Sequence, residues 1–594
     1  MGKITRRDFI NGTLMVAGSA MLPREASSQA AMAALDPSYY PPALTGLRGS
    51  HPGSDAHAHS RAWTQKSDWG STTDLKEEYD LVVVGGGFSG LAAAYYYQQK
   101  HGKDKKVLVL DNHDDFGGHA KRNELTVGSE MLIGYGGSHS ITDARRISKL
   151  IADLFDDIGV DIDGLEKSYD QTFYRRHGLC AMTYFDKETF GEDKIVKHPY
   201  CNHPNYVEGL PMGTISIEEA AQQAPLSEEG KKQLLRVLKG TGEGRGSYFE
   251  YLQNTLGVTD PKIMTMARNS ALDWASSGTD TMSMGGARGA GAMGFPLKPV
   301  YDEENPYIYH YPEGNAGVVR ALVKKLIPAV AEGSNAEELI LSRFDYSQLD
   351  KPTNPIRIRL NSTVVNVEHL GDPANAGEVS VRFINDNQAY EVKGKGAVMA
   401  CYNMMIPHIV PNLPEDQDAA LRSHVKSPLQ YTNVGVTNWR AIKEIGMGFA
   451  MCPGKMHQAA TLELQSNLGG YESTKTPDDP CIVQMVHCPY GTVGAPAKEQ
   501  YREARQKMMT LQFADYEEEI RGHLTDMLPK NLFEFDRDVK SITVNRWAHG
   551  YASSGPAVGR RPFGRITIAN SDSVGSADAQ AAIAQGYRAV NELG

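Results

Sequence analysis

Three glycines and an acid are the residues best placed to do chemistry. Gly85-x-Gly87-x-x-Gly90 is followed about 20 residues on by Asp111. That spacing suits a dinucleotide. Gly85 makes a tight turn, Gly87 lets the backbone approach a pyrophosphate, and Gly90 lets a helix pack close to a strand. Asp111 stands where a carboxylate accepts a ribose hydroxyl. Ser89, inside the turn, joins these as a candidate contact, because a helix starting there offers free N–H groups and a positive dipole end to phosphates. Trp547 and Tyr551 offer aromatic faces that attract alkylammonium groups, with core packing as the alternative. Lys426 is a lone basic candidate, for which a solvated lysine is the commoner explanation. His51, His57 and His59 crowd one arm rich in Pro, Gly and Ser, where imidazoles are either metal ligands or simply solvated.

The elements that must position these groups are legible around the glycines. Leu81–Val84 is a continuous apolar run, expected for a strand buried on both faces. Leu91 to Gln99 reads as an alanine-rich helix, and Val107–Leu110 as a second strand ending at Asp111. The fold class expected is α/β: a Rossmann-type FAD-binding domain interleaved with an α+β substrate domain. A chain of 594 residues is too long for one ordinary core. Its 41% hydrophobic and 22% charged content is that of a soluble globular protein, and a net charge of −11 argues against a nucleic-acid partner.

Six cysteines occur without CxxC, CxxCH or Cys/His zinc-finger spacing, which argues against covalent c-type haem and a structural zinc of those kinds. Arg6-Arg7, a short apolar run from Ile10 to Leu22 and the small residues around Ser28-Gln29-Ala30 read as a twin-arginine signal peptide over 1–30. A periplasmic or secreted protein is expected, without stable membrane insertion, since no later segment reaches 18 consecutive apolar residues. Export favours a tightly held FAD over a nicotinamide drawn from a diffusible pool.

Further motifs carry a resemblance. Phe116-Gly117-Gly118-His119-Ala120-Lys121-Arg122, Tyr135-Gly136-Gly137-Ser138, Tyr311-Pro312-Glu313-Gly314-Asn315, Val364-Val365, Ala397-Val-Met-Ala-Cys-Tyr402 and Ile568-Ala-Asn-Ser-Asp572 occur in order. They resemble elements of the flavin amine oxidase-like family. With the leader, the arm from Leu44 to Ser54 and the stretch from Val544 to Tyr551, the resemblance narrows to its bacterial spermidine dehydrogenase branch and covers the chain outside 427–529. It implies that Gly117, Gly118 and Arg122 line the dinucleotide, that Tyr135, Gly136 and Gly137 lie against the flavin, and that Val365 packs near the adenine. Asp572 would contact the ribityl–phosphate chain, and Ala582 would stand near the flavin at the start of a closing helix. Trp547 and Tyr551 would face the flavin.

The lysine that many family members use to hold a water is missing from Tyr431–Trp439; Lys426 is its nearest substitute. No cysteine follows Cys488, so FAD would be noncovalent. A b-type haem is implied as a second centre, with His51 and His59 as ligands and His57 as substitute, passing electrons to a quinone or cytochrome. The domains expected are an arm over 31–75, an FAD-binding domain from 76–150, 300–410 and 560–594, and a substrate domain from 151–299 and 411–559. The activity implied is oxidation of a small-molecule amine, spermidine, by hydride transfer to FAD, giving an aminoaldehyde and a diamine. An oxidase or desaturase of another substrate and a non-catalytic electron-transfer flavoprotein stay open on the same scaffold.

Overall fold

A computed structural model describes residues 38–198, 215–270, 276–296, 306–552 and 555–594. The leader read from Arg6-Arg7 lies outside the described residues. The centre of the molecule is a five-stranded parallel sheet in the order Ile566–Ile568, Ala397–Met399, Leu81–Val84, Val107–Leu110, Ile356–Arg359. Every residue of these five strands is buried, as unbroken apolar runs covered on both faces require. One departure is instructive. Arg357 and Arg359 are buried in the edge strand because Asp350 and Glu77 ion-pair with both.

The helix Phe88–His101 leaves the glycine turn and packs back on the sheet. Gly90 sits at the crossing: a Cβ there would lie 1.9 Å from the Gly85 carbonyl oxygen. The helix Ala579–Glu592 then lies across this first helix. Its Gly586 would, with a Cβ, meet the Ser89 carbonyl oxygen at 2.5 Å.

A second, mixed sheet of eight strands runs Gly46–Gly49, Val539–Trp547, Leu429–Val436, Cys481–His487, Ala459–Glu463, Met447–Met451, Cys180–Phe185, Lys194–Lys197. One large apolar core spans the parallel sheet, this sheet and the helices between them. A separate helical core, built on Leu234, Val237, Tyr248, Tyr251 and Ile263, packs beyond Phe185. A four-stranded sheet, Thr363–His369, Val379–Asn385, Gln388–Gly394 and Thr72–Tyr79, flanks the parallel one.

The arm is more structured than its composition suggests. Gly46–Gly49 pairs in parallel with Thr543–Arg546 as an edge strand, the short helix Ala56–Trp63 follows, and Thr72–Tyr79 belongs to the four-stranded sheet. Among the described residues, no helix is long and apolar enough to cross a membrane.

Replacing Gly586 by Val should separate the two crossed helices and cost about 1–3 kcal/mol of stability, the range for overpacking a close contact. Thermal unfolding of the variant against the wild type checks this, and an unchanged midpoint would show that the crossing tolerates a side chain.

Candidate functional site

The glycine turn opens onto a cavity of about 820 Å³, within the range of small-molecule and cofactor sites. Gly85, with φ +114°, adopts a conformation that favours glycine. Gly87 meets a second glycine pair: its backbone bridges to Gly117, Gly117 N–H donates to the Gly86 carbonyl at 2.8 Å, and a Cβ on Gly118 would stand 3.2 Å from the Gly87 Cα. Two bare backbones thus face each other at the cavity wall. Asp111 lines the wall and is held from both sides. Its Oδ2 accepts from Gly86 N–H at 2.6 Å and its Oδ1 from His113 N–H at 2.8 Å. The C-terminal helix begins against the same space. Asp578 caps it by accepting from Ala581 N–H at 2.7 Å, and Ala577, Ala579 and Ala582 line the cavity.

The candidate residues divide by where their side chains go. Gly85, Gly87, Ser89, Asp111, Gly117, Gly118, Gly137, Lys426, Tyr551, Ala582 and His59 line the cavity. Gly90 serves the helix–strand crossing instead.

Arg122 corrects the expectation of a dinucleotide contact. It is buried in ion pairs with Glu124 at 2.7 Å and Glu313 at 3.1 Å. Val365 is displaced by one residue. Val364 lines the cavity, while Val365 packs with Ile384 and Ala389 in a small separate cluster. Strand alternation, with a bulge between Val364 and Asn366, decides which valine points inward. Tyr135 stacks on His139 at 4.2 Å, and its hydroxyl donates to Gln484.

Trp547 is a buried support rather than a wall of the cavity. Its Nε1 donates to the Gly136 carbonyl at 2.7 Å, and its ring lies 4.6 Å from that of His119, which does line the cavity. A Cβ on Gly137 would come within 2.4 Å of Trp547 Nε1, and one on Gly136 within 2.5 Å of Asn545 Oδ1. This glycine pair admits the neighbouring strand.

Lys426 and Asp572 revise each other. Lys426 is buried, not solvated, and its Nζ pairs with Asp572 Oδ1 at 2.8 Å. Asp572 is fully buried beneath the cavity wall, and its Oδ2 also accepts from Asn403 N–H at 3.2 Å. Asn570, Ser571 and Ser576 hold the positions on the wall. Lys426 Nζ lies 4.7 Å from the centre of the Tyr402 ring, and Tyr402 Oη shares a 2.9 Å hydrogen bond with His119 Nε2. The His549 ring stands 5.0 Å from Tyr402. Asp572, Lys426, Tyr402, His119 and His549 therefore form one connected group at the cavity. Burial pushes the His119 imidazole well below the usual histidine range, with the Lys426 charge next in importance. Burial does the same to His549, aided by Arg505. Both rings are neutral near pH 7 and free of the charge that would repel a cation.

His139, Tyr307 and Tyr431 also line the cavity. None of these side chains, nor His119, Tyr402 or His549, followed from spacing. They come from six separate stretches of chain.

His51 and His59 have different neighbours. His51 lies outside the cavity lining, its Nε2 3.5 Å from Asp114 Oδ1, its ring edge-on to His113 at 6.2 Å, and its pKa lowered to about 4 by burial. His59 stacks on Trp63 at 4.0 Å on the arm helix. His57 stands edge-on to Trp69.

Buried neutral histidines set an acid limit. Burial lowers the His310 pKa to about 3, against 6.5 for the free side chain. The unfolded chain therefore binds the extra proton first. The contribution of neutral His310 is fully present above pH 6.5 and is lost as pH falls from there towards 3, by about 1.4 kcal/mol per pH unit. His310→Gln should flatten the decline in stability between pH 6.5 and 4, measured by denaturant unfolding at each pH. An unaltered slope would assign the acid sensitivity to other groups.

Residues 83–154 match the sequence model of the NAD(P)-binding Rossmann-like domain. No curated protein matches the chain. Among solved structures, a putrescine oxidase with bound putrescine is similar over 87% of this chain and 99% of its own, at 14% identity and a TM-score of 0.46. Cyclohexylamine oxidase from Brevibacterium oxydans IH-35A is similar over 87% of this chain and 98% of its own, at 12% identity and a TM-score of 0.46. Both likenesses are distant. The glycine turn, the parallel sheet and the match over 83–154 together make this a Rossmann-like dinucleotide-binding fold.

Proposed function

We propose that the protein is an amine dehydrogenase that holds FAD noncovalently in this cavity and oxidises a polyamine, spermidine being the substrate its sequence resemblance implies. The observation that carries the reading is the continuity of the cavity. One space is bounded by the glycine cradle at Gly85, Gly87, Gly117 and Gly118 and by a lining of tyrosines and neutral histidines. The residues present fit the cofactor. Facing glycines leave room for a pyrophosphate, Asp111 keeps lone pairs for a ribose, and Val364 offers an apolar flank for an adenine. The start of the C-terminal helix offers a positive dipole end.

Bound FAD supplies a two-electron acceptor for hydride from the carbon next to an amine nitrogen, after which water hydrolyses the resulting substrate imine. The chain's own task is to select and orient the amine. Tyr431 and Tyr551 line the cavity, where aromatic rings can attract a distal ammonium group, and Tyr402, beside them, already meets the Lys426 ammonium. His119 and His549, kept neutral by burial, can accept a hydrogen bond and leave the reacting nitrogen uncharged. Lys426 is tied to Asp572 and steadies Tyr402. Twin-arginine export of the FAD-loaded chain, and electron delivery to a quinone or cytochrome, belong to the same reading.

Anaerobic mixing of FAD-replete protein with a panel of amines tests it. Spermidine should bleach the flavin, with the rate rising from pH 7 towards pH 9 as the reacting amine deprotonates. Bleaching by a different amine alone would move the substrate, and bleaching by none would overturn the reading. Gly87→Val should abolish FAD retention. Tyr551→Ala should lower kcat/KM about ten-fold if its ring meets the cation in the transition state.

A further inference from the structure

A second cluster of reactive side chains lies on the far side of the strand Leu429–Val436. His457, in the turn before Ala459–Glu463, is fully buried, with its Nδ1 2.5 Å from Glu519 Oε2. Glu519 and His523 stand one turn apart on the helix Phe513–Met527, a spacing that puts both on one face. His523 is also buried, and its Nδ1 lies 3.6 Å from Glu519 Oε1. Neither ring nitrogen of His523 has a hydrogen-bond partner, and neither does Glu519 Oε1. One ligand atom from each of the three residues falls within 4.8 Å of the others.

A bare network explains this cluster poorly. Each buried polar atom left unpaired costs about 1–3 kcal/mol; His523 Nε2 is one here, while His523 Nδ1 and Glu519 Oε1 face each other only at 3.6 Å. We infer that His457, Glu519 and His523 bind a divalent first-row transition ion, with Zn²⁺ as the type. Two imidazoles and one carboxylate are a common donor set for such an ion, and three protein ligands leave a fourth position for water. Ligand bonds of about 2.0–2.2 Å in a tetrahedron set the donor atoms about 3.3 Å apart. The 2.5 and 3.6 Å separations run to the two different oxygens of Glu519, so the carboxylate stands between the two imidazoles, and one donor atom from each residue already lies within 4.8 Å of the others.

The surroundings of His457 fit as well. Its Nε2 lies 3.0 Å from both Thr432 Oγ1 and Gln430 Nε2, while Gln430 Oε1 has no partner. Turning the Gln430 amide over lets its oxygen accept from Nε2–H, which fixes the tautomer with Nδ1 free to ligate. The nearby cation, Lys455, is engaged with Glu188 and Asp526 at 3.5 Å each. The ion would staple the helix to the back of the strand whose alternate residues, Leu429 and Tyr431, line the cavity. Its role is structural and independent of the amine chemistry.

The test uses the full FAD-loaded protein, isolated without metal-affinity resin, stripped with a chelator and dialysed against Zn²⁺. The wild type should retain about one zinc per chain, and its thermal midpoint should rise with Zn²⁺ concentration, since an ion that binds only the folded state stabilises by mass action. His523→Gln and Glu519→Gln should lose the bound zinc and the dependence of the midpoint on Zn²⁺ while keeping FAD. His101→Gln, remote in sequence, should keep all three. A folded wild type that retains no zinc and shows no shift would overturn the inference, as would variants that bind zinc like the wild type.

Discussion

Close backbone approach at a few glycines is the constraint on which the architecture rests. Gly90 brings the first helix onto its strand, and Gly586 brings the C-terminal helix onto the first. The segment from Asn570 to Ala582, which leads into that second helix, lines the cavity that the glycine turn opens. Gly117 and Gly118, set against Gly87, complete the same device. At each point a side chain is withheld so that main chain can approach main chain or a ligand, and the cavity is bounded by what those approaches leave open.

Electrostatics then differentiates the cavity. The buried carboxylate Asp572 and the buried ammonium Lys426 satisfy each other beneath the wall. A buried charge left alone would cost several kcal/mol, so the pair acts as a unit that also supports Tyr402. Around it the histidines stay neutral because burial withholds the solvation a proton would need. The result is a stretch of the lining where tyrosines and uncharged imidazoles stand together beside the Lys426–Asp572 pair.

Legibility in the sequence followed the range of the interaction. The fingerprint strand, turn and helix, and the position of Asp111, were readable because glycine geometry and strand burial act over a few residues. The valine pair Val364-Val365 and the run Ile568 to Asp572, next to the outer strands of the parallel sheet, were readable as family motifs in order. Side-chain direction was not. Val364 rather than Val365 faces the cavity because of a local bulge, and Arg122 turns away because Glu313, far along the chain, completes its ion pairs. Trp547 was read as a wall because its position resembled one; the Gly136 carbonyl that anchors it lies more than 400 residues earlier. Glu519 and His523 share one helix face, but nothing in the sequence joins them to His457, because the strand and the helix that bring the three together are set by tertiary packing.

The arm strand Gly46–Gly49 hydrogen-bonds beside Thr543–Arg546, and the parallel sheet takes its outer strand from Ile566–Ile568. The mixed sheet therefore joins strands separated by most of the polypeptide, and the parallel one has an edge supplied from near the end of the sequence. During vectorial synthesis the first glycine turn leaves the ribosome hundreds of residues before the helix that must lie across it. At about 5–20 residues per second the interval is of the order of a minute. Through it the nascent chain holds an incomplete dinucleotide site with an exposed sheet edge, the kind of surface that chaperones engage.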